Sequence, residues 1–179
     1  MGVGTRSADS ALRAVRKIEK GTLDTLVRTG TFAKQRIDRN DADRLLILHC
    51  CAAQGHMPGI KCLLKMGADV AMEDSDRLTP LHVAAQSSMA GVEVMQLLLR
   101  AGASVDARNR HGETALHLAS CSRQTISRTW NDRYGTGNRV PRTPGKETAV
   151  VRTLLEANAD ECALNAAGWS PVDQAKANP

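Results

Sequence analysis

The sequence predicts an all-α protein, built as a solenoid of stacked helix-turn-helix units. A short segment recurs along the chain: residues 79–85 (TPLHVAA) return 35 residues later at 114–120 (TALHLAS), and a weaker copy (LHCCA) occupies 48–52. Recurrence at such a spacing is the pattern of a repeat architecture. Aromatic residues form 2% of the 179 residues, whereas the core of a sandwich or barrel usually holds more large rings. One unit of this length cannot bury its own apolar face, so neighbouring units must stack.

The first helix of a unit is predicted from its capping residues. Thr79 and Ser170 are residue types whose side-chain oxygen accepts a hydrogen bond from the first helical turn. Pro80 and Pro171 follow at the first helical position, where a missing N–H costs nothing. Small residues at 84–85 then leave a narrow apolar face that another helix can approach closely.

The second helix of a unit is predicted from its leucines and from the residue that ends it. Leucine pairs occupy 63–64, 98–99 and 154–155, and Leu98 is expected in the core. Gly67 and Gly102 follow the first two helices, and Asn158, the usual substitute for glycine, follows the third. Short β-hairpin-like connectors then join each unit to the next.

The segment TPLHVA at 79–84 resembles the ankyrin repeat, whose signature is T-P-L-H-x-A with a period of 33 residues. The resemblance covers residues 41–177. It implies an ankyrin-repeat solenoid in which His82 and His117 hydrogen-bond within and between repeats. The predicted organisation is a basic N-terminal helical segment or capping repeat at 1–40, repeats at 41–73, 74–108 and 109–164, and a partial C-terminal capping repeat at 165–179.

Two departures from the pattern carry their own expectations. The later repeats have a glycine in the hairpin turn, at Gly112 and Gly168, whereas the first two have Arg44 and Arg77 at this position. A non-glycine residue in a left-handed conformation costs about 1 kcal/mol. Distorted turns are therefore expected in the first two repeats. Asp173 occupies the histidine position of the fourth repeat, which has no second helix, as expected of a cap.

An insertion interrupts the third repeat at residues 124–146. The segment is rich in glycine and proline, which favours a loop, and it contains Trp130 and Tyr134. Loops of this length are usually functional or disordered. Three interpretations stay open: a solvated excursion, a protein contact, in which arginine and aromatic residues are common, or a single-stranded nucleic-acid contact.

The positive charge of the chain is concentrated in two segments. The net charge is +5; residues 1–40 contribute +5, residues 123–147 contribute +4, and the rest of the chain is negative. Arg139 and Arg142 lie in the second basic segment. This distribution makes RNA or another anionic surface a possible partner of these segments.

The sequence lacks the patterns of a catalytic or cofactor site. It has no phosphate-binding or dinucleotide-binding glycine motif and no H-E-x-x-H, so no catalytic residues, no cofactor and no small-molecule substrate are expected. A cluster of histidines and cysteines spans 49–62, but adjacent helix positions such as Cys50 and Cys51 do not face one ion. Cys51 and Cys62 are expected to be core residues, and no metal is expected.

The expected partner-binding residues lie at the hairpin tips, on the exposed positions of the first helices and in the insertion. The resemblance places a concave surface there, with acidic residues in its first half and arginines in its middle, which would favour a bipolar partner. Trp169 is expected to be partly exposed at the end of this groove. The candidates are Asp43, Glu73, Asp76, Leu78, Gln86, Arg108, Arg110, His111, Trp130, Tyr134, Arg139, Arg142 and Trp169.

Two functions are consistent with the sequence. The first is a non-catalytic protein–protein interaction module that binds a partner through the concave surface and the insertion. The alternative is a structural subunit of a large intracellular assembly, in which the basic segments contact RNA or another anionic surface. The five cysteines form no C-x-x-C pair and no apolar stretch reaches transmembrane length, so an intracellular, cytoplasmic or nuclear protein without membrane insertion is expected.

Overall fold

The computed structural model describes residues 47–65, 67–87, 90–120 and 146–177. These residues form helices and turns, and no strand occurs among them. The helices are α1 (Ile47–Gln54), α2 (Met57–Lys65), α3 (Pro80–Gln86), α4 (Val92–Arg100), α5 (Ala115–Ser120), α6 (Lys146–Glu156) and α7 (Pro171–Ala177).

The helices pack in two rows, which confirms the predicted solenoid. The first helices of successive repeats lie side by side, α1 against α3, α3 against α5 and α5 against α7. The second helices form the other row, α2 against α4 and α4 against α6, and each packs on the first helix of its own repeat. Every repeat therefore covers the apolar face of its neighbour.

The core lies between the two rows and is aliphatic. Ala84 and Ala85 of α3 are 0% and 1% exposed, and their small side chains let the first helices approach one another closely. Leu98 and Met95 of α4 and Leu154 of α6 are each 0% exposed. The predicted core position of Leu98 is confirmed.

The predicted helix caps are present at the first helices of the second and fourth repeats, α3 and α7. The Thr79 hydroxyl accepts from the His82 N–H at 3.5 Å, and the Thr79 N–H donates to His82 Nδ1 at 3.1 Å. The Ser170 hydroxyl accepts from the Asp173 N–H at 3.2 Å, and the Asp173 carboxylate accepts from the Ser170 N–H at 3.1 Å. Asp173 thus takes over the capping role that histidine has in the earlier repeat.

The residues that end the second helices adopt the predicted left-handed backbone. The φ angles are 82° at Gly67, 93° at Gly102 and 61° at Asn158. After α4 the Ala103 N–H donates to the carbonyl of Leu98 at 3.0 Å, which closes the helix end as expected for this type of cap.

The turn at Arg77 is not distorted, contrary to the expectation from its missing glycine. Arg77 adopts a left-handed φ of 58°, and its N–H donates to the Asp74 carbonyl at 3.0 Å. Gly112 makes the equivalent bond to Asn109, also at 3.0 Å. The hairpin keeps its geometry because a side chain in the left-handed region costs little compared with the hydrogen bonds that hold the turn.

Several expectations fall on residues outside the described ranges. They concern the N-terminal segment 1–40, Asp43, Arg44 and the insertion up to residue 145. Lys146, which the sequence analysis places at the end of the insertion, is the first residue of α6.

Candidate functional site

Three hairpin tips follow one another along the described solenoid: tip 2 (residues 73–78), tip 3 (108–113) and tip 4 (164–169). We call them together the tip row. One side chain organises each tip by accepting two backbone N–H groups, as Asp and Asn do in turns. In tip 2 the Asp74 carboxylate accepts from Asp76 and Leu78, each at 2.8 Å.

The other two tips repeat this arrangement with asparagine. The Asn109 side-chain oxygen accepts from His111 at 2.8 Å and Glu113 at 2.9 Å. The Asn165 side-chain oxygen accepts from the N–H groups two and four residues later, at 2.9 and 3.0 Å. The conformation of each tip is thus set by its own second residue, which is Asp or Asn.

Neighbouring tips are joined by backbone hydrogen bonds. The Arg110 N–H of tip 3 donates to the Asp76 carbonyl of tip 2 at 3.0 Å. The Ala166 N–H of tip 4 donates to the His111 carbonyl of tip 3 at 2.9 Å. The tip row is therefore a continuous surface whose tips hold fixed positions relative to one another.

A buried histidine in each of the first helices α1, α3 and α5 holds the tip of the following repeat. The Nε2 atoms of His49, His82 and His117 donate to the carbonyls of Leu78, Glu113 and Trp169 at 2.7, 3.2 and 3.0 Å. A carbonyl can only accept, so each Nε2 carries the proton. Together with the Thr79–His82 contacts, these bonds confirm the role within and between repeats that the resemblance implied for this histidine.

The surroundings of His49 and His82 favour the neutral ring. Burial lowers the pKa of His49 from 6.5 to about 4, although the bond to Leu78 and the charge of Asp74 act in the opposite direction. Burial also lowers the pKa of His82, against the hydrogen bonds to the backbone of Glu113 and Ala107. Neutral imidazoles keep one nitrogen as donor and the other as acceptor, as this geometry needs.

The three arginines of the tip row are bonded to acidic side chains or to backbone. Arg110 Nη1 forms an ion pair with the Asp76 carboxylate, and Arg77 Nε forms one with Glu73 at 3.1 Å. Arg108 donates to the Leu164 carbonyl at 2.6 Å. One ion pair, Arg110–Asp76, therefore joins the acidic first half of this surface to its basic middle within the described residues. The bipolar partner expected from the sequence stays a prediction.

Exposure differs among the predicted partner-binding residues. His111, Arg108, Arg110 and Trp169 are exposed, whereas Glu73, Asp76, Leu78 and Gln86 are half-buried. Trp169 is 45% exposed, which confirms its expected partial exposure. The structure brings these residues together along the tip row and the adjoining first helices. Asp43, Trp130, Tyr134, Arg139 and Arg142 lie outside the described residues.

Two polar contacts of this surface were not predicted. Glu113 accepts from Asn109 Nδ2 at 2.9 Å and from Gln174 Nε2 at 3.0 Å, so one carboxylate links tip 3 to α7. Arg77 is bonded to Glu73, and the spacing of four residues between these opposite charges is the signal that could have indicated the pair. Gln174 gave no comparable signal because 61 residues separate it from its partner.

No group of three histidine, cysteine or acidic residues among the described residues could hold a metal ion. Cys50 and Cys51 are fully buried as small core residues, and burial raises the pKa of the Cys51 thiol to about 12 and that of Cys50 further. Cys62 is half-buried, so its predicted core position is only partly correct. No helix in the described part of the chain has the length and apolarity to span a membrane.

Comparison with known proteins identifies similar chains. A family model described as ankyrin repeats (3 copies) matches residues 13–109 and, in a second and overlapping match, residues 48–128. The chain is 38% identical over 85 residues to B-cell lymphoma 3 protein of Homo sapiens, an alignment that covers 45% of this chain and 18% of the relative.

Two further relatives show the same local similarity. SH3 and multiple ankyrin repeat domains protein 1 of Mus musculus is 38% identical over 125 residues, covering 63% of this chain and 6% of that protein. Ankyrin repeat and SOCS box protein 18 of Homo sapiens is 44% identical over 79 residues, an alignment that covers 44% of this chain and 16% of that protein. The chain thus spans less than a fifth of the length of each relative.

Proposed function

The chain belongs to the ankyrin-repeat family, whose repeats are generally protein–protein interaction modules, and from this membership we propose that it is a non-catalytic module that binds a partner protein. The binding surface is the tip row together with the exposed positions of the first helices. Family membership does not identify the partner, because proteins with the same fold bind many unrelated targets.

The observation that carries the proposal is the fixed geometry of the tip row. Each tip is organised by its own Asp or Asn, joined to the next tip through backbone bonds and fastened to a buried histidine. A surface that is ordered before binding loses little conformational entropy when a partner arrives. Ordered loops on a helical scaffold are the usual location of binding residues.

The partner is recognised mainly by shape, apolar contact and uncharged hydrogen bonds. Because Arg110 is paired with Asp76, and Arg77 with Glu73, these four side chains offer little unbalanced charge to a partner. Exposed pairs of this kind contribute modestly and are screened by salt. Binding to the tip row is therefore expected to persist at high ionic strength.

The insertion and the cellular setting complete the proposal. We propose that the inserted segment, with Trp130 and Tyr134, provides an additional partner contact. An intracellular setting suits the described cysteines, none of which forms a disulfide. Most of the length of each relative lies outside the segment that matches this chain, so the proposal includes none of their activities.

The proposal is tested by capturing the tagged full chain from its own cells, at low and high salt, with and without nuclease. The test variant combines His111→Ala with Trp169→Ala, which alters two exposed residues of the tip row. The control variant combines Lys61→Ala with Arg100→Ala, two exposed residues of second helices. Circular dichroism checks that both variants keep the helical content of the wild type.

A discrete protein that survives high salt, is lost from the test variant and is kept by the control supports the proposal. Release by moderate salt or by nuclease contradicts it. That outcome would favour a subunit of an anionic assembly held by the basic segments 1–40 and 123–147, since contacts to many phosphates weaken steeply with salt.

A further inference from the structure

Arg110, in the middle of the tip row, is held at two points by the preceding tip. Its backbone N–H donates to the Asp76 carbonyl at 3.0 Å, and its Nη1 atom pairs with the Asp76 carboxylate. Asp76 is itself fixed, because its N–H donates at 2.8 Å to the carboxylate of Asp74, which is buried. A series of contacts therefore runs from a buried carboxylate to an arginine whose side chain is 57% exposed.

The bidentate edge of the Arg110 guanidinium has no acceptor within the described residues. The pair with Asp76 involves Nη1, and in this part of the chain neither Nε nor Nη2 of Arg110 donates a hydrogen bond. These two atoms lie side by side in the plane of the guanidinium and can donate to two oxygens at once. Arg110 thus combines a fixed position with a pair of donors that a partner can use.

Arg77 in tip 2 has a similar exposure but the opposite arrangement. Its side chain is 60% exposed, and its Nε and Nη2 atoms donate to the Glu73 carboxylate at 3.1 and 3.5 Å. Glu73 therefore occupies the edge that Arg110 leaves unbonded. The two arginines differ in the property that matters for binding, which makes Arg77 an internal comparison for Arg110.

The charge around Arg110 favours an uncharged acceptor. Tips 2 and 3 carry four carboxylates and three arginines, so with neutral histidine their net charge is negative. A carboxylate of the partner would be repelled by this excess and by the Asp76 carboxylate on the same guanidinium. Asp76 also supplies the counter-charge that a partner covering Arg110 would otherwise have to provide, since an unpaired buried charge is costly. The charged residues counted are Glu73, Asp74, Asp76, Arg77, Arg108, Arg110 and Glu113.

The tip row already contains a contact of the kind that Arg110 could make. Arg108 donates from Nη1 to the backbone carbonyl of Leu164, in the next tip, at 2.6 Å. A backbone carbonyl is uncharged, accepts strong hydrogen bonds from a guanidinium and is present in every protein partner. It therefore satisfies the donors of Arg110 without adding negative charge to the surface.

We propose that Arg110 binds backbone carbonyl oxygens of the partner protein through Nε and Nη2, and that Asp76 is the residue that positions it. Because the guanidinium is already held, it loses little side-chain entropy when the partner binds. Arginine is also enriched among the residues that dominate interface affinity. The inference rests on the proposed function, since it assigns one contact of the tip row to one chemical group of the partner.

The experiment uses as its probe the protein that the tagged full chain captures at high salt, identified and purified. Titration calorimetry measures its affinity for each variant of the full chain at low and high salt. Arg110→Gln should weaken binding by about tenfold or more. Arg110→Lys should weaken it almost as much, because lysine keeps the charge but lacks the paired donors. Arg77→Gln should weaken binding less, and Arg100→Gln, on the second helix α4, is the control that should leave it unchanged.

Asp76→Ala tests the positioning role. It should weaken binding by about fivefold or more in the wild-type background and have little further effect beside Arg110→Gln, because Asp76 acts through the arginine. The bond from the Arg110 N–H to the Asp76 carbonyl involves no side chain, so these substitutions do not remove it. Circular dichroism verifies the folding of each variant. An equal loss in both backgrounds would mean that Asp76 acts by itself, and would overturn its positioning role.

Several results would overturn the assignment to Arg110. They are an affinity that Arg110→Gln leaves unchanged, one that Arg110→Lys restores, and a loss from Arg77→Gln or Arg100→Gln as large as that from Arg110→Gln. If the loss from Arg110→Gln shrinks at high salt, the acceptor is a carboxylate of the partner. If Arg110→Gln is coupled to replacement of an Asn or Gln of the partner, the acceptor is a side-chain amide. Either result overturns the assignment to backbone carbonyls.

These outcomes are separable from failure of the proposed function. A captured partner that binds the wild type and the Arg110→Gln variant equally leaves the interaction module in place and removes the role of Arg110. Capture of no protein that survives high salt contradicts the proposed function, and the inference with it.

Discussion

Arg110 is attached to Asp76 of the preceding repeat through both its backbone and its side chain. The Arg110 N–H donates to the Asp76 carbonyl at 3.0 Å, and its guanidinium pairs with the Asp76 carboxylate. The backbone bond belongs to a pattern that recurs between tips 3 and 4, whereas the ion pair is particular to tips 2 and 3. The two contacts therefore have different consequences for stability and for recognition.

The ion pair is expected to contribute little to stability. Its side chains are 57% and 31% exposed, so water and salt screen the attraction. A double-mutant cycle with Asp76→Asn and Arg110→Gln should give a coupling free energy of about 0.2–1 kcal/mol from urea unfolding, smaller at high salt. A coupling of about 2 kcal/mol or more would contradict this expectation and would make the pair a structural element of the tip row.

The same turn position should differ in its sensitivity to substitution between two repeats. Arg77→Gly removes a side chain from a left-handed φ of 58° and loses an exposed ion pair, so the free energy of unfolding should change by less than about 1 kcal/mol. Gly112→Arg should lower it by more, because the added Cβ would meet the Ala166 nitrogen at 2.9 Å. Urea unfolding of both variants measures the difference.

Gly168→Ala is the control for this pair. Gly168 has a φ of 78° but open space around its Cβ position, so its substitution reports the left-handed strain alone, about 1 kcal/mol. If Gly112→Arg were no more destabilising than Gly168→Ala, tip 4 would not pack on tip 3 as described.

The solenoid could be predicted from the sequence because its signals are local and repeated. The cap at Thr79, the left-handed residue Asn158 and the core leucine Leu98 each depend on neighbours within one helix or turn. A hairpin tip, by contrast, is held by several contacts at once. The Asp74 carboxylate accepts two backbone N–H groups and so stabilises tip 2, even though Arg77 replaces the turn glycine. The conformational preference of Arg77 alone does not include the free energy of these hydrogen bonds.

The pairing of charges between tips was missed for a different reason. Asp76 and Arg110 are 34 residues apart, which is about one repeat, and a repeat period places equivalent residues side by side. The two residues lie far apart in the linear sequence, whereas an alignment of tip 2 with tip 3 places them at neighbouring positions. The partial exposure of Trp169 could be predicted from its tip position.

The core should be sensitive to small losses of volume. Leu98 is 0% exposed and lies between the two helix rows, so Leu98→Ala should lower the free energy of unfolding by about 2–5 kcal/mol. Leu155→Ala, at a leucine that is 41% exposed, should cost much less. Comparable urea midpoints for the two variants would show that Leu98 is not in the core.

Stability should fall as the pH drops from neutral toward 4. The folded-state pKa of His49 is lowered by burial from 6.5 to about 4, and burial lowers that of His82 in the same direction. Below pH 6.5 the unfolded chain binds protons that the folded chain does not, so the free energy of unfolding decreases as the pH falls through this window. For His49 the loss approaches about 3 kcal/mol near its folded-state pKa.

The urea midpoint, measured from about pH 7.5 to about pH 4.5, tests this expectation. Asp173 does not titrate within this pH range, because hydrogen bonds from Ser170 lower its pKa below 3.8. Its contribution to the free energy of unfolding is lost only at more acidic pH. A His82→Gln variant should be less stable at neutral pH and should show a shallower dependence, since one buried imidazole no longer titrates on unfolding. A midpoint that stays constant from pH 7.5 to 4.5 would mean that the histidines are protonated without cost, and the neutral hydrogen bonds to Leu78 and Glu113 would then be wrongly assigned.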